Sequence, residues 1–166
     1  MIINLPMRDA TLCLIIQNGK ILLGKKKRGF GEGKYNGYGG KVQEDETVLD
    51  SLLREVQEEL GVILFPNKLI KMAEIEFIFP DSKKDWDQRV HIYLASEYEG
   101  VPEESEEMTV EEFDLSNIPY SSMWETDSHW LPIVLGGTKF RGKILFEEDC
   151  STTKAFTYDP LPDFNR

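Results

Sequence analysis

Apolar residues run almost without interruption over 11–17 and again over 21–24, and the polar break between them is Asn18-Gly19, a pair that favours a two-residue hairpin turn. Two strands opening a sheet are the direct reading. Over 46–60 the period changes: Val48, Leu49, Leu52, Leu53, Val56 and Leu60 recur every three or four residues, the stripe of an amphipathic helix. Between these segments, 25–36 reads as a basic, glycine-rich connection and 37–42 as the approach to the helix. Segments 74–79 and 89–98 have strand character, with 81–87 a charged loop between them. A short strand is expected at 111–115, a helix capped by Asp127 or Ser128 and running through Leu135, and a late strand at 139–146. Beyond Glu147 the chain turns polar and carries Pro160 and Pro162, so 150–166 is expected to be a surface-hugging tail on a single domain formed by 1–149. Strands on both sides of one acidic helix, with a second helix near the end, predict an α/β fold: a mixed sheet sandwiched between helices.

Composition narrows the functions. At 166 residues and 40% hydrophobic, the chain suits one domain with a real core. Its net charge of -11 leaves no basic surface to follow a nucleic-acid backbone or an anionic membrane. The two cysteines, Cys13 in an apolar strand and Cys150 in a polar stretch, have neither disulfide-framework nor zinc spacing, which favours a reducing, cytoplasmic setting. Residues 1–6 are too short for a signal peptide, and no apolar run approaches membrane-spanning length. The expected partner is a small molecule, bound by a monomer.

The chemistry is concentrated on the predicted helix. Glu55, Glu58 and Glu59 are three and four positions apart, so their carboxylates leave one face as close neighbours. Three glutamates alone would read as a solvated acidic face. Their surroundings change that reading: Gly40, five residues, Glu46, seven residues, Arg54-Glu55, an apolar Val56, Glu58-Glu59, then Gly61-Val62. This spacing matches the Nudix box at every fixed position, and on it the chain resembles the Nudix hydrolases. Hard cations such as Mg²⁺ are held by a few carboxylates together with substrate phosphate oxygens, so the resemblance implies metal-assisted hydrolysis of a phosphoanhydride, with Mn²⁺ a possible substitute. Arg54 has a rigid fork that can hold a carboxylate bidentately and orient its neighbours, with Glu46 within reach before the helix. Gly39 and Gly40 let the backbone approach a ligand or place a carbonyl at the metal.

The resemblance sharpens outside the box. Residues 24–31 (Gly-Lys-Lys-Lys-Arg-Gly-Phe-Gly), 35–44, Glu104-Ser105-Glu106-Glu107-Met108, and Met123-Trp124 with Asp127-Ser128 and Trp130 are similar to the animal oxidised-purine nucleoside triphosphate hydrolases, a branch of the Nudix family, over about residues 11–146. That branch implies a Nudix α/β/α sandwich, dependence on Mg²⁺, and sanitising hydrolysis of 8-oxo-dGTP or 2-hydroxy-dATP to the monophosphate and pyrophosphate. Carried over position by position, it implies metal ligands at the Gly39 carbonyl, Glu55, Glu58, Glu59 and Glu107. It implies substrate contacts at Thr11, Lys26, Asn36, Tyr38, Gly39, Gly40, Lys41, Trp124, Glu125, Thr126 and Asp127, with Phe30, Phe77 and Met108 lining the base pocket. An indole can stack on a purine, a carboxylate can accept from a guanine N1 and amino group, and a lysine can face phosphate.

One position departs from that branch. Its base pocket carries two adjacent aspartates, and here the first is Thr126. Two carboxylates at one site share a proton and can present either donor or acceptor; a lone Asp127 is expected to stay ionised through neutral pH, favouring oxidised guanine over oxidised adenine. Glu125 stands where the branch has proline. Other Nudix substrates remain open: undamaged or methylated purine triphosphates and nucleoside diphosphate derivatives. A catalytically silent nucleotide-binding module fits less well, because no box glutamate is missing.

Overall fold

The computed structural model describes residues 7–164; the signal-peptide reading of 1–6 lies outside them. The strands are β1 (Arg8–Gln17), β2 (Lys20–Lys25), β3 (Tyr35–Asn36), β4 (Ile63–Leu64), β5 (Ile70–Ile78), β6 (Gln88–Ala95), β7 (Tyr98–Glu99), β8 (Glu111–Asp114), β9 (Lys139–Phe146) and β10 (Thr153–Leu161). The helices are α1 (Val48–Leu60) and α2 (Asp127–Leu135). Along the main sheet the order is β10-β9-β5-β6-β1-β2-β3, with β8 also on β2; β4 and β7 form a separate pair. β1 with β6 and β5 with β9 run parallel and the other pairs antiparallel, so the mixed α/β sheet is as expected.

β1 is uninterrupted in hydrophobicity because both of its faces are covered. Leu12 and Leu14 enter one core with Trp130, Leu131 and Val134 of α2, while Cys13 and Ile15 enter the other with Leu52, Val56 and Leu60 of α1. Period-two alternation divides the strand between the two layers. The turn at Asn18 (φ 53) and Gly19 (φ 75) closes the β1–β2 hairpin in the left-handed conformations that this residue pair tolerates. α1 begins at Val48, two residues after the expected start, because the Thr47 side chain caps it by accepting from the Asp50 N–H at 3.0 Å. Gly61 (φ 76) ends it.

Three expectations are corrected. Neither Asp127 nor Ser128 is the N-cap of α2: Thr126 holds that position, in helical backbone conformation and with no capping hydrogen bond from its side chain. The charged segment before β6 is not an open loop but a 3-10 turn over Asp81–Trp86. Segment 150–166 does not merely hug the surface; most of it is β10, antiparallel to β9 from Thr153↔Phe146 to Leu161↔Lys139. Its polar composition suits an exposed edge strand, where Pro160 does no harm. Phe156 and Tyr158 stack at 5.4 Å and meet the Phe140 ring edge-on, which gives the strand its apolar attachment.

Candidate active site

The lower half of β1 is where the sheet opens. Above Ile15 it pairs with β2, but below that the segment before α1 runs beside it, bridged at Cys13↔Tyr38 and Ala10↔Lys41. The carbonyls of Tyr38 and Gly40 accept from the N–H groups of Cys13 (2.6 Å) and Thr11 (2.8 Å). By alternation the Gly39 carbonyl lies on the other side, away from β1. Close approach, and not turn geometry, accounts for both glycines: the β1 backbone demands Gly39, and Gly40 leaves room for the Glu55 carboxylate. A Cβ at Gly39 would stand 2.0 Å from the Thr11 carbonyl oxygen, and one at Gly40 would stand 2.5 Å from the Glu55 carboxyl carbon.

α1 brings its carboxylates to this segment. Glu59 accepts from the Gly39 N–H at 2.8 Å. Burial, aided by the charges of Glu55 and Glu107, pushes its pKa up to about 7, against the pull of that N–H and of Lys26. Arg54 organises the rest as its planar fork predicts: Nε and one terminal nitrogen hold Glu46 bidentately at 2.6 and 2.9 Å, and the other terminal nitrogen reaches Glu55 at 3.0 Å and Glu58 at 3.2 Å. That grip, with the Gln43 N–H, holds Glu46 down at about 2. Glu107 lies on the loop after β7, where Arg28 binds it at 2.6 Å and lowers its pKa. Among the described residues no three carboxylate, imidazole or thiol groups already stand together closely enough to cage an ion.

Glu59 also lines a cavity of about 290 Å³. Thr11, Lys26, Phe30, Asn36, Gly39, Gly40, Lys41, Phe77, Met108, Trp124, Thr126 and Asp127 share that lining, so the fold brings most of the expected contacts together. Thr11, 3% exposed, supports the glycine segment through its hydroxyl contacts with Gly40. Asn36 turns its side-chain oxygen to the Gly37 N–H at 2.9 Å, leaving its amide NH₂ as the donor for a ligand. Trp124 has the Phe30 ring stacked 5.0 Å away and the Lys34 ammonium 5.0 Å from its ring centre. Asp127 is 5% exposed; one oxygen accepts from the Trp130 indole N–H at 3.1 Å, and the other, buried, has no partner. Burial drives its pKa up to about 7. Burial thus works against the expectation that Asp127 stays ionised through neutral pH, because desolvation does here what a second carboxylate would otherwise do.

Two expected contacts are elsewhere. Tyr38 is fully buried among α1's core residues, with its hydroxyl donating to the Thr109 carbonyl at 3.0 Å. Glu125 does not line the cavity and binds Thr153 of β10 instead. Sequence reasoning missed Lys34, Gln88, Phe79, Phe146 and Cys150 in the lining, and also Gly31, where a Cβ would come within 3.3 Å of the Trp124 ring. Nothing local in the sequence marks these positions. An adjoining cavity of about 380 Å³ shares Lys26, Phe30 and Lys41 and adds Arg8 and Trp86. Three cations thus gather beside the site, against the one carboxylate of Asp87 in that lining, in a chain of net charge -11.

The NUDIX domain model matches residues 6–132. The mouse oxidized purine nucleoside triphosphate hydrolase is 45% identical over 138 residues, 83% of this chain and 86% of the mouse protein. The zebrafish protein of the same name is 45% identical over 137 residues, 82% and 85% of the two chains. Among solved structures, a MutT protein from Bacillus halodurans superposes with a TM-score of 0.80 at 23% identity, covering 94% of this chain and all of its own, a likeness in fold alone. Nudix hydrolases generally need a divalent metal ion, and no helix among the described residues is long and apolar enough to cross a membrane.

Proposed function

Since the chain belongs to the Nudix family, and is a Nudix hydrolase, we propose that it hydrolyses oxidised purine nucleoside triphosphates, 8-oxo-dGTP foremost, to the monophosphate and pyrophosphate in the presence of Mg²⁺. The observation that carries this reading is that one cavity joins Glu59 and the Gly39–Lys41 segment to a buried Asp127 oxygen that lacks a partner beside the Trp124 indole. A buried acceptor without a donor is costly, and a guanine N1 or amino group supplies one.

The residues suit a divalent cation. Glu59 is pressed by the charges of Glu55 and Glu107, a repulsion that a bound cation reverses. Gly39 through its carbonyl, Glu55, Glu58, Glu59 and Glu107 would hold the ion, which when bound polarises the phosphoryl group and makes water more acidic. Arg54 and Glu46 keep the helix carboxylates in place. Lys26, Lys41 and Arg8 face the polyphosphate, whose charge the chain as a whole would otherwise repel. Trp124 stacks on the purine, with Phe30, Phe77 and Met108 around it. One water is consumed, the anhydride bond between the α and β phosphates breaks, and a box carboxylate takes the water's proton. The reading includes a monomer acting on free nucleotide in the cytoplasm, a compartment in keeping with two free cysteines.

The test is pyrophosphate release from 8-oxo-dGTP, 2-hydroxy-dATP, dGTP, dATP and an alkylated purine triphosphate, with and without Mg²⁺. Metal-dependent preference for 8-oxo-dGTP is expected. Equal rates on normal and oxidised purines would overturn the substrate assignment.

A further inference from the structure

On the reading above, residues 124–127 at the entry to α2 read the base, and a second wall of the same cavity comes from the β9–β10 hairpin. Phe146 at the end of β9 and Cys150 in the turn both line it. The turn is braced internally: Asp149 accepts from the Ser151 and Thr152 N–H groups at 2.9 and 2.8 Å and from the Thr152 hydroxyl at 2.5 Å. Those bonds fix the shape of the turn but not its separation from Trp124. A different residue spans that gap. One oxygen of Glu125 accepts from both the backbone N–H and the hydroxyl of Thr153, at 2.8 and 2.6 Å, and its other oxygen lies 3.1 Å from the His129 ring. Glu125 sits between two cavity residues, Trp124 and Thr126, while Thr153 is three residues from Cys150 and opposite Phe146 in the ladder.

We infer that Glu125, acting through Thr153, is a positioning residue that sets the width of the base pocket, which makes the β9–β10 hairpin a specificity-determining wall. The half-exposed contact with His129 contributes little by itself. The paired bonds to Thr153 are charge-assisted and directional, the kind that fixes one segment against another. An oxidised guanine differs from guanine by one oxygen and a proton, so a small change in wall position is enough to lose the distinction.

The test uses Glu125→Ala, Thr153→Val, their double variant and the conservative Glu125→Gln. It follows kcat and KM for 8-oxo-dGTP and dGTP, thermal midpoints, and the rate at which an aromatic disulfide reagent labels Cys150. Cys13 is fully buried, so labelling reports on the turn. Glu125→Ala is expected to raise KM for 8-oxo-dGTP about tenfold, as loss of a hydrogen bond to a charged acceptor does, and Thr153→Val, which keeps the backbone N–H bond to Glu125, to raise it less. The change in kcat should be smaller, the preference over dGTP should shrink, and Cys150 should label faster. The double variant should go no further than Glu125→Ala alone, and Glu125→Gln, which retains an oxygen acceptor, should restore most of the loss. Parental KM and preference in both single variants, additive effects, or a lowered midpoint with preference intact would overturn the inference. If the parent hydrolyses no oxidised purine triphosphate, the functional reading fails separately. Labelling then decides the latch by itself: faster in Glu125→Ala but not in Glu125→Gln upholds it, and equal rates reject it.

Discussion

Glu59 and Asp127 line one cavity and both have pKa values pushed up to about 7, yet their neighbourhoods are opposite in kind. Burial comes first for each. Around Glu59 the remaining influences are charges: Glu55 and Glu107 raise its pKa, and Lys26 lowers it. Around Asp127 no second carboxylate raises the pKa; the indole N–H of Trp130, a backbone hydrogen bond at Trp124 and the charge of Lys34 lower it, and one oxygen is left without a partner. A cation relieves the first arrangement and a hydrogen-bond donor the second. Two carboxyls raised to the same acidity can therefore mark two different ligands, and the neighbours tell them apart.

The largest expected effect falls at the charged end. Glu59→Gln and Glu58→Gln should each lower kcat by at least about a hundredfold at saturating Mg²⁺ while nucleotide still binds, because an isosteric amide keeps the helix packing but gives up charge and basicity. Activity within about tenfold of the parent would remove the residue from the metal centre. At the other end, Trp124→Ala should lower kcat/KM for all purines together, by about ten- to a hundredfold, the worth of one base stack. Asp127→Ala should fall hardest on oxidised guanine and compress its preference over adenine nucleotides. Similar losses on every base would show that Asp127 does not read the base.

The two ends also differed in how far the sequence disclosed them. On α1, local rules suffice: helical spacing aligns the glutamates, Arg54 finds Glu46 within the same segment, and Gly39 is the residue that a crowded backbone requires while Gly40 leaves room for the Glu55 carboxylate. The base end is assembled from distant segments. Phe146, Cys150 and Gln88 reach it only through the sheet order, and no spacing signals them. Tyr38 looks like a site residue in the sequence because its neighbours Gly39 and Gly40 line the cavity, whereas strand alternation turns Tyr38 into the core. β10 is not legible because an edge strand needs little hydrophobicity, and the raised pKa of Asp127 is not legible because a sequence carries charge but not burial.

That burial gives the threonine at 126 a sharper consequence. Above pH 7 an ionised Asp127 presents only acceptors and should favour 8-oxo-dGTP; below pH 7 its protonated form can donate, and relative activity on 2-hydroxy-dATP should rise severalfold. Ratios of kcat/KM for the two substrates from pH 6 to 8.5 check this, and a flat ratio rejects it. Thr126→Asp would add a like charge and move the transition upward.

A smaller effect should appear in stability. The folded-state pKa of Asp127 is above its unfolded value, so between about pH 4 and 7 the folded protein keeps a proton that the unfolded chain has lost. Stability from this group falls as pH rises through that window. Asp127→Asn should thus raise the thermal midpoint by a few degrees at pH 8, with the gain fading towards pH 4. A gain independent of pH would point to packing instead of ionisation.

The contrast between the two carboxylates is tested most directly by following their side-chain carbon resonances through pH titration, first in the free protein, then with Mg²⁺, then with 8-oxo-dGMP. Mg²⁺ alone should drop the apparent pKa of Glu59 well below 7 and leave Asp127 in place, while the nucleotide without metal should shift Asp127 and spare Glu59. Asp127 moving with Mg²⁺, or Glu59 failing to, would contradict the division of the cavity into a cation end and a base end.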